Sequence, residues 1–143
     1  MTQENKELLL KDLSARSPYG VRVNVAPVPQ EEYKYQSFNA KVVWVGVNHT
    51  GVLSDKGFFF QQDVTEIKPY LYPLTSMTEE QFNELEKLGY LKNCAHCREI
   101  PFKLKWIKTF SLPLLCWLLE NHFDINGLIE KGLAKDATGL NIY

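Results

Sequence analysis

Residues 40–48, Ala-Lys-Val-Val-Trp-Val-Gly-Val-Asn, constrain the fold more than any other stretch of the chain. Val42, Val43, Val45 and Val47 are β-branched and Trp44 is aromatic, side chains that fit a pleated, half-buried surface. Both faces of this strand carry apolar groups, which predicts a central position with a neighbour on either side. The flanking sequence supplies neighbours. Val21, Val23 and Val25 alternate with Arg22 and Asn24, the period-2 pattern of a strand buried on one face. Val52-Leu53 and residues 58–62 read as further strands, set off by the turn signals His49-Thr50-Gly51 and Asp55-Lys56-Gly57. Tyr33 and Tyr35 alternate in the polar stretch 31–39 and predict an edge-like strand, ahead of which Pro27 and Pro29 end the Val21–Val25 pattern. Residues 64–68 predict a short strand or a single 3₁₀ turn. Short strands at this spacing, joined by tight turns, predict a small, strongly bent antiparallel sheet. An SH3-like barrel fits that spacing, and an open meander with a helix on one face is the rival.

Helical patterns flank the β region. Leu9, Leu10 and Leu13 fall on one face of a helix over roughly residues 5–15, with Lys6, Glu7, Lys11 and Asp12 on the wet side. Ser17-Pro18 stops it and Tyr19-Gly20 supplies a turn. The stretch 69–76, marked by Pro69 and Pro73, predicts an extended linker laid against the sheet. Thr78 and Gln81 then form a capping box, and Met77 and Phe82 a hydrophobic staple. Phe82, Leu85 and Leu88 make the inner face of that helix, and Gly89 ends it. Phe102, Leu104 and Trp106 alternate with Lys103 and Lys105, which predicts a strand. Ser111 and Pro113 open a helix that is apolar nearly all round and ends near Asn121-His122-Phe123. Asp124 starts a last short helix with Ile125, Leu128 and Ile129 inward, and the tail from residue 137 is a loop. The expected organisation is one α+β domain over residues 1–143: a helical start (1–18), a β unit (19–75) and a mainly helical remainder (76–143).

Charge and cysteine content narrow the function classes. Sixteen Lys and Arg balance 17 Asp and Glu, for a formal net charge of -1. Phosphate binding usually needs a clear basic excess, so the balance argues against a dedicated nucleic-acid binder. No apolar run approaches the ~20 residues that span a bilayer, and no secretory segment opens the sequence. An odd number of cysteines, Cys94, Cys97 and Cys116, suits a reducing compartment and predicts a cytoplasmic protein.

Three constellations could carry function. Cys94-Ala95-His96-Cys97 has the spacing with which two thiolates chelate one zinc ion, each sulfur about 2.3 Å from the metal. A structural site needs four ligands. Only Cys116, His49, His96 and His122 remain, and no second C-x-x-C follows. The bland reading is a loop with two reduced thiols and Cys116 as a small core hydrophobe. A redox role fits less well, because the motif precedes a strand-like alternation instead of opening a helix. Lys103, Lys105 and Lys108 surround Trp106, a basic strip with an aromatic that could stack a single-stranded base; the bland alternative is a solvated strand face. Tyr33, Tyr35, Tyr70 and Tyr72 could line an interaction surface or lie as lids over a small core. The templates for nucleophile elbows, zinc proteases, P-loops and dinucleotide folds are absent, so no catalytic residue is assigned. His122 and Asp124 near Cys116 read as a helix C-terminal residue and the next element's cap.

Three blocks of sequence occur together in a recognisable order. They are Glu7-Leu8-Leu9-Leu10-Lys11-Asp12-Leu13 with Pro18-Tyr19-Gly20-Val21; Ile67-Lys68-Pro69-Tyr70-Leu71-Tyr72-Pro73-Leu74 running into Ser76-Met77-Thr78-Glu79-Glu80; and Trp117-Leu118, His122-Phe123-Asp124 and residues 127–134. In these blocks the chain resembles an uncharacterised family of small proteins from gut Bacteroidetes genomes and their phages and prophages. The resemblance implies a bacterial or phage source and a cytosolic setting, and it implies no activity. Cys94 and Cys97 lie outside the three blocks. The expected function is a non-enzymatic binding or accessory protein acting through contacts with a protein partner, with a homo-oligomer as one form of that and no cofactor. The alternative is a zinc-stabilised or nucleic-acid-binding module built on Cys94, Cys97 and the strip from Lys103 to Lys108.

Overall fold

The computed structural model describes residues 1–29, 31–89 and 111–143. Its fold class is α+β. Helix α1 spans Gln3–Arg16 and leads through a 3₁₀ turn, Ser17–Tyr19, into strand β1, Arg22–Val25. Strands β2 (Phe38–Val45), β3 (His49–Ser54) and β4 (Phe59–Asp63) follow as antiparallel neighbours. After a 3₁₀ turn at Val64–Glu66 the chain returns as β5, Ile67–Leu71, beside β1. Helices α2 (Glu79–Lys87) and α3 (Leu112–Glu120) come next, and β6 (Lys135–Asp136) pairs in parallel with β5. Among the described residues the sheet runs β4-β3-β2-β1-β5-β6.

The sheet stays open, so the SH3-like barrel is corrected to an open, mostly antiparallel sheet. The valine-rich run does form an interior strand, with β1 on one side and β3 on the other. Its two apolar faces have a specific cause. A bulge between Val42 and Trp44 shifts the register, so Val43 and Trp44 both reach solvent while Val42 stays in the core. The turn lies earlier than His49-Thr50-Gly51, because those residues begin β3 and the chain reverses after Val45. Tyr33 and Tyr35 form no strand: Glu31–Tyr33 is a 3₁₀ turn, and Lys34 and Tyr35 have φ of 47° and 55°. The proline-marked linker begins inside the sheet, since Pro69 pairs with Val23 and Tyr70 with Lys135.

One face of the sheet is closed. Leu9 and Leu13 of α1 share a core with Val23, Val25, Val42, Val52, Ile67 and Leu71, and Leu128, Leu133 and Ala134 join it from the C-terminal segment. A second core joins Leu85 of α2 to Leu114, Trp117 and Leu118 of α3 and to Phe123. The helix α2 starts at the capping box Thr78–Gln81, with both reciprocal hydrogen bonds present, and Gly89 follows it with φ of 73°. Leu88, expected inward, is exposed. The last predicted helix is instead a run of turns, in which the Asp124 carboxylate accepts from the backbone N–H groups of Asn126, Leu128 and Ile129.

Asp12 and Arg16 correct the first helix. Leu9, Asp12, Leu13 and Arg16 follow the i, i+3, i+4, i+7 stripe that faces the core, and Asp12 and Arg16 are both buried. Arg16 Nε donates to Asp12 Oδ2 at 2.6 Å and Nη2 donates to Oδ1 at 3.1 Å. The same Nη2 donates to the Phe123 carbonyl at 2.6 Å, and the Asn126 amide donates to Asp12 at 2.8 Å. A buried pair of this kind survives because every oxygen of the carboxylate is met by a donor.

At its β3–β4 end the opposite face of the sheet leaves Leu53 and Phe59 open to solvent. There Trp44 lies across β3 directly over Gly51, where a Cβ would overlap the indole nitrogen. Gly51→Ala is therefore expected to lower stability by about 1–3 kcal/mol, the usual range for overpacking. In urea unfolding most of that loss should disappear when Trp44→Ala is added. An equal loss in both backgrounds would contradict the contact.

Candidate functional site

Two groups of residues merit consideration as a site: the buried polar cluster between α1 and the C-terminal segment, and the open face of the sheet. The buried cluster holds Asp12, Arg16, His122 and Asp124, and the 42% exposed Tyr143 lies at its rim. His122 has φ of 60° and its ring stacks on that of Tyr143 at a centroid distance of 3.7 Å. The Tyr143 hydroxyl donates to the Tyr70 carbonyl at 2.6 Å and accepts from the Arg22 N–H at 3.2 Å. Burial raises the pKa of this hydroxyl well above the ordinary tyrosine value. His122 moves the other way. Desolvation, with the Arg16 charge as a second cause, lowers its pKa from 6.5 to about 4, so it is neutral near pH 7. Both carboxylates are saturated with donors from the protein itself, Asp12 by Arg16 and Asn126 and Asp124 by the backbone. The cluster joins distant parts of the chain and leaves no carboxylate free for acid–base work.

The sequence-predicted residues are not gathered in one place. Tyr33 is buried: its ring lies 4.2 Å from that of Phe38 and 5.5 Å from that of Phe60, and its hydroxyl donates to Ser54 Oγ at 2.5 Å. Tyr70 is buried too, with its hydroxyl donating to Asn39 Oδ1 at 2.8 Å. Tyr72 is half-buried between Phe123 and Tyr143. Of the four tyrosines only Tyr35 is openly exposed, and it stands apart in a turn. Tyr33 and Tyr70 thus belong to the interior, as lids over a small core. Cys94, Cys97, Lys103, Lys105, Trp106 and Lys108 lie outside the described residues. Among the described residues no group of three or more His, Cys, Asp or Glu side chains could hold a metal ion. Cys116 is half-buried and neighbours the Tyr19 hydroxyl.

The open face has a different character. The register sets Lys41 of β2, Leu53 of β3 and Phe59 of β4 side by side, with Trp44, Gly51 and Gln61 as the next row. Phe59 is 56% exposed, Leu53 40% and Trp44 38%, and Val43 at the bulge is exposed beside them. Toward β1 and β5 this face turns polar, through Asn24, Asn39 and Lys68. Sequence alone did not mark Leu53 and Phe59 as surface. Phe58, Phe59 and Phe60 are chemically alike, and only the pairing of Val52 with Phe60 and of Leu53 with Phe59 shows which ring points out.

Comparison with known proteins gives no match to a family model, to a curated protein or to a solved structure. No helix among the described residues is long and apolar enough to cross a membrane.

The lowered pKa of His122 makes stability depend on pH. The unfolded imidazole takes up a proton below pH 6.5, whereas the folded one resists protonation down to about pH 4. The contribution is complete above pH 6.5 and is lost as pH falls from 6.5 to 4, by at most about 3 kcal/mol. His122→Asn keeps a residue that tolerates positive φ and removes the titration. Urea unfolding of both proteins should show the wild type losing more stability across that window. Parallel pH profiles would contradict the assignment.

Proposed function

We propose that the protein is a non-enzymatic binding protein that acts through protein–protein contacts, made by the β3–β4 end of its open sheet face. The observation that carries this reading is the row of Leu53 and Phe59 with Trp44 beside it, three large apolar side chains partly open to solvent on adjacent strands. Large apolar groups grouped on rigid strands are the usual anchors of a protein interface, since they add contact area with little entropy to lose. Trp44 is held flat by Gly51 beneath it, so its outer ring face is preorganised. Lys41 flanks the row and supplies a polar rim. A cytoplasmic setting and a bacterial or phage origin belong to the same proposal. The odd cysteine count supports the setting, and the resemblance of the three sequence blocks supports the origin.

Affinity capture tests the reading. Tagged wild-type protein and a Leu53→Ser/Phe59→Ser variant are compared on bacterial lysate after circular dichroism shows that both are folded. The expected result is a reproducible protein partner held by the wild type and lost by the variant. The same proteins held by both, or none held by the wild type, would overturn it.

A further inference from the structure

The row that begins with Phe59 and Leu53 does not stop at Lys41. Lys41 of β2 stands opposite Arg22 of β1. Arg22 lies across from Tyr70 of β5, where the Tyr143 hydroxyl bridges the Arg22 N–H and the Tyr70 carbonyl. Tyr70 pairs with Lys135 of β6. The row Phe59, Leu53, Lys41, Arg22, Tyr70, Lys135 therefore crosses the whole described sheet, roughly 24 Å at the usual spacing of strands. Lys68 stands in the neighbouring row, opposite Asn24. The row is apolar on β4 and β3 and cationic from β2 to β6. Lys41, Lys68 and Lys135 are exposed and make no ion pair among the described residues. Tyr70 reaches across β1 to Asn39, and the Lys135 ammonium lies 5.9 Å from its ring centroid, on the same face. The carboxylates at the margin are taken. Asp55 holds Arg22 through both oxygens at 2.7 Å, and Asp63 meets Lys6 of α1 at 3.5 Å. Glu66, in the turn before β5, makes no ion pair with Lys68. Three unpaired cations thus share one face of a chain whose net charge is -1.

We infer that this face binds an acidic segment of a partner protein, with large apolar side chains seated on Phe59 and Leu53 and carboxylates set against Lys41, Lys68 and Lys135. This rests on the reading of the β3–β4 end as a protein-contact surface and adds the chemistry of what it binds. Charge complementarity carries it. An ammonium covered by a neutral partner loses hydration without a return, whereas a carboxylate brought to it offsets that loss. Cations on one side of the apolar anchors also steer an acidic chain and fix its direction across the strands. An extended segment of about seven residues spans the row. Nucleic acid fits this face less well. Single-strand binding interleaves cations with rings on which bases stack. The ring that lies among these cations, Tyr70, is 6% exposed and tied to Asn39, so no base stacks there.

Selection from a random peptide library displayed on phage, with the folded full chain as bait, tests this. The wild type is expected to enrich peptides that combine Asp or Glu with large apolar residues. A synthetic peptide of the enriched sequence should bind Lys68→Glu/Lys135→Glu more weakly, by about tenfold or more. It should bind Lys11→Glu/Lys131→Glu as it binds the wild type, since that variant changes the net charge equally at exposed positions away from this face. Circular dichroism checks that each variant is folded. Lys68→Gln/Lys135→Gln, with a loss of about threefold or more, stands in if the reversal is not. Equal weakening by both charge-reversed variants would overturn the inference. So would a labelled oligothymidylate bound through Lys68 and Lys135 where no acidic peptide is enriched. Enriched peptides that need Leu53 and Phe59 but show no acidic bias would remove the inference and leave the proposed function standing. No enriched peptide, or peptides indifferent to Leu53→Ser/Phe59→Ser, would overturn both.

Discussion

The buried pair of Asp12 and Arg16 is the interaction on which the rest of the architecture depends. It places a charge in the core stripe of the first helix and spends it on two parts of the chain more than a hundred residues away, the Phe123 carbonyl and the Asn126 amide. Removing one member of such a pair leaves the other charged and unpaired in a low-dielectric interior, at a cost of about 3–5 kcal/mol. The pair therefore ties α1 and the C-terminal turns to the same face of the sheet. Asp124 then organises those turns by accepting three backbone N–H groups, and His122 and Tyr143 stack at their edge. The titratable groups in this part of the molecule serve as structural joints.

That closure leaves the other face as the surface with potential for recognition. The bulge at Val42/Trp44 turns an otherwise buried strand outward at one end, and Gly51 leaves room for the indole to lie flat. Leu53 and Phe59 continue the apolar row to the last strand. That row ends at β4, the terminal strand among the described residues, whose last residue Asp63 is tied to Lys6 of α1. Large apolar groups set on rigid strands are the anchors that the proposed protein contact would use.

Much of the fold was legible because local signals agreed with the tertiary outcome. The alternation of Val21, Val23 and Val25, the capping box at Thr78 and Gln81, and the apolar helix after Ser111 all survive in the structure. The failures have physical causes. Asp12 looked solvent-facing because a carboxylate is costly to bury, and its partners Phe123 and Asn126 are invisible to a local window. Tyr33 and Tyr70 stayed open between interaction surface and core lid because tyrosine suits both settings, and the deciding partners Ser54 and Asn39 come from other strands. Barrel closure depends on which strands end the sheet, and β1 pairs with both β2 and β5 in the middle of it. The outward face of Phe59 is a register fact, and a shift of one residue would have exposed Phe60 instead.

The central claim is that Leu53 and Phe59 at the β3–β4 end of the open sheet face anchor a protein partner. Photo-crosslinking in bacterial lysate from a benzophenone side chain placed at position 59 tests it most directly. The account predicts discrete protein adducts from position 59 and none from the exposed position 83 on α2. No adduct from position 59, or the same adducts from both positions, would contradict the claim.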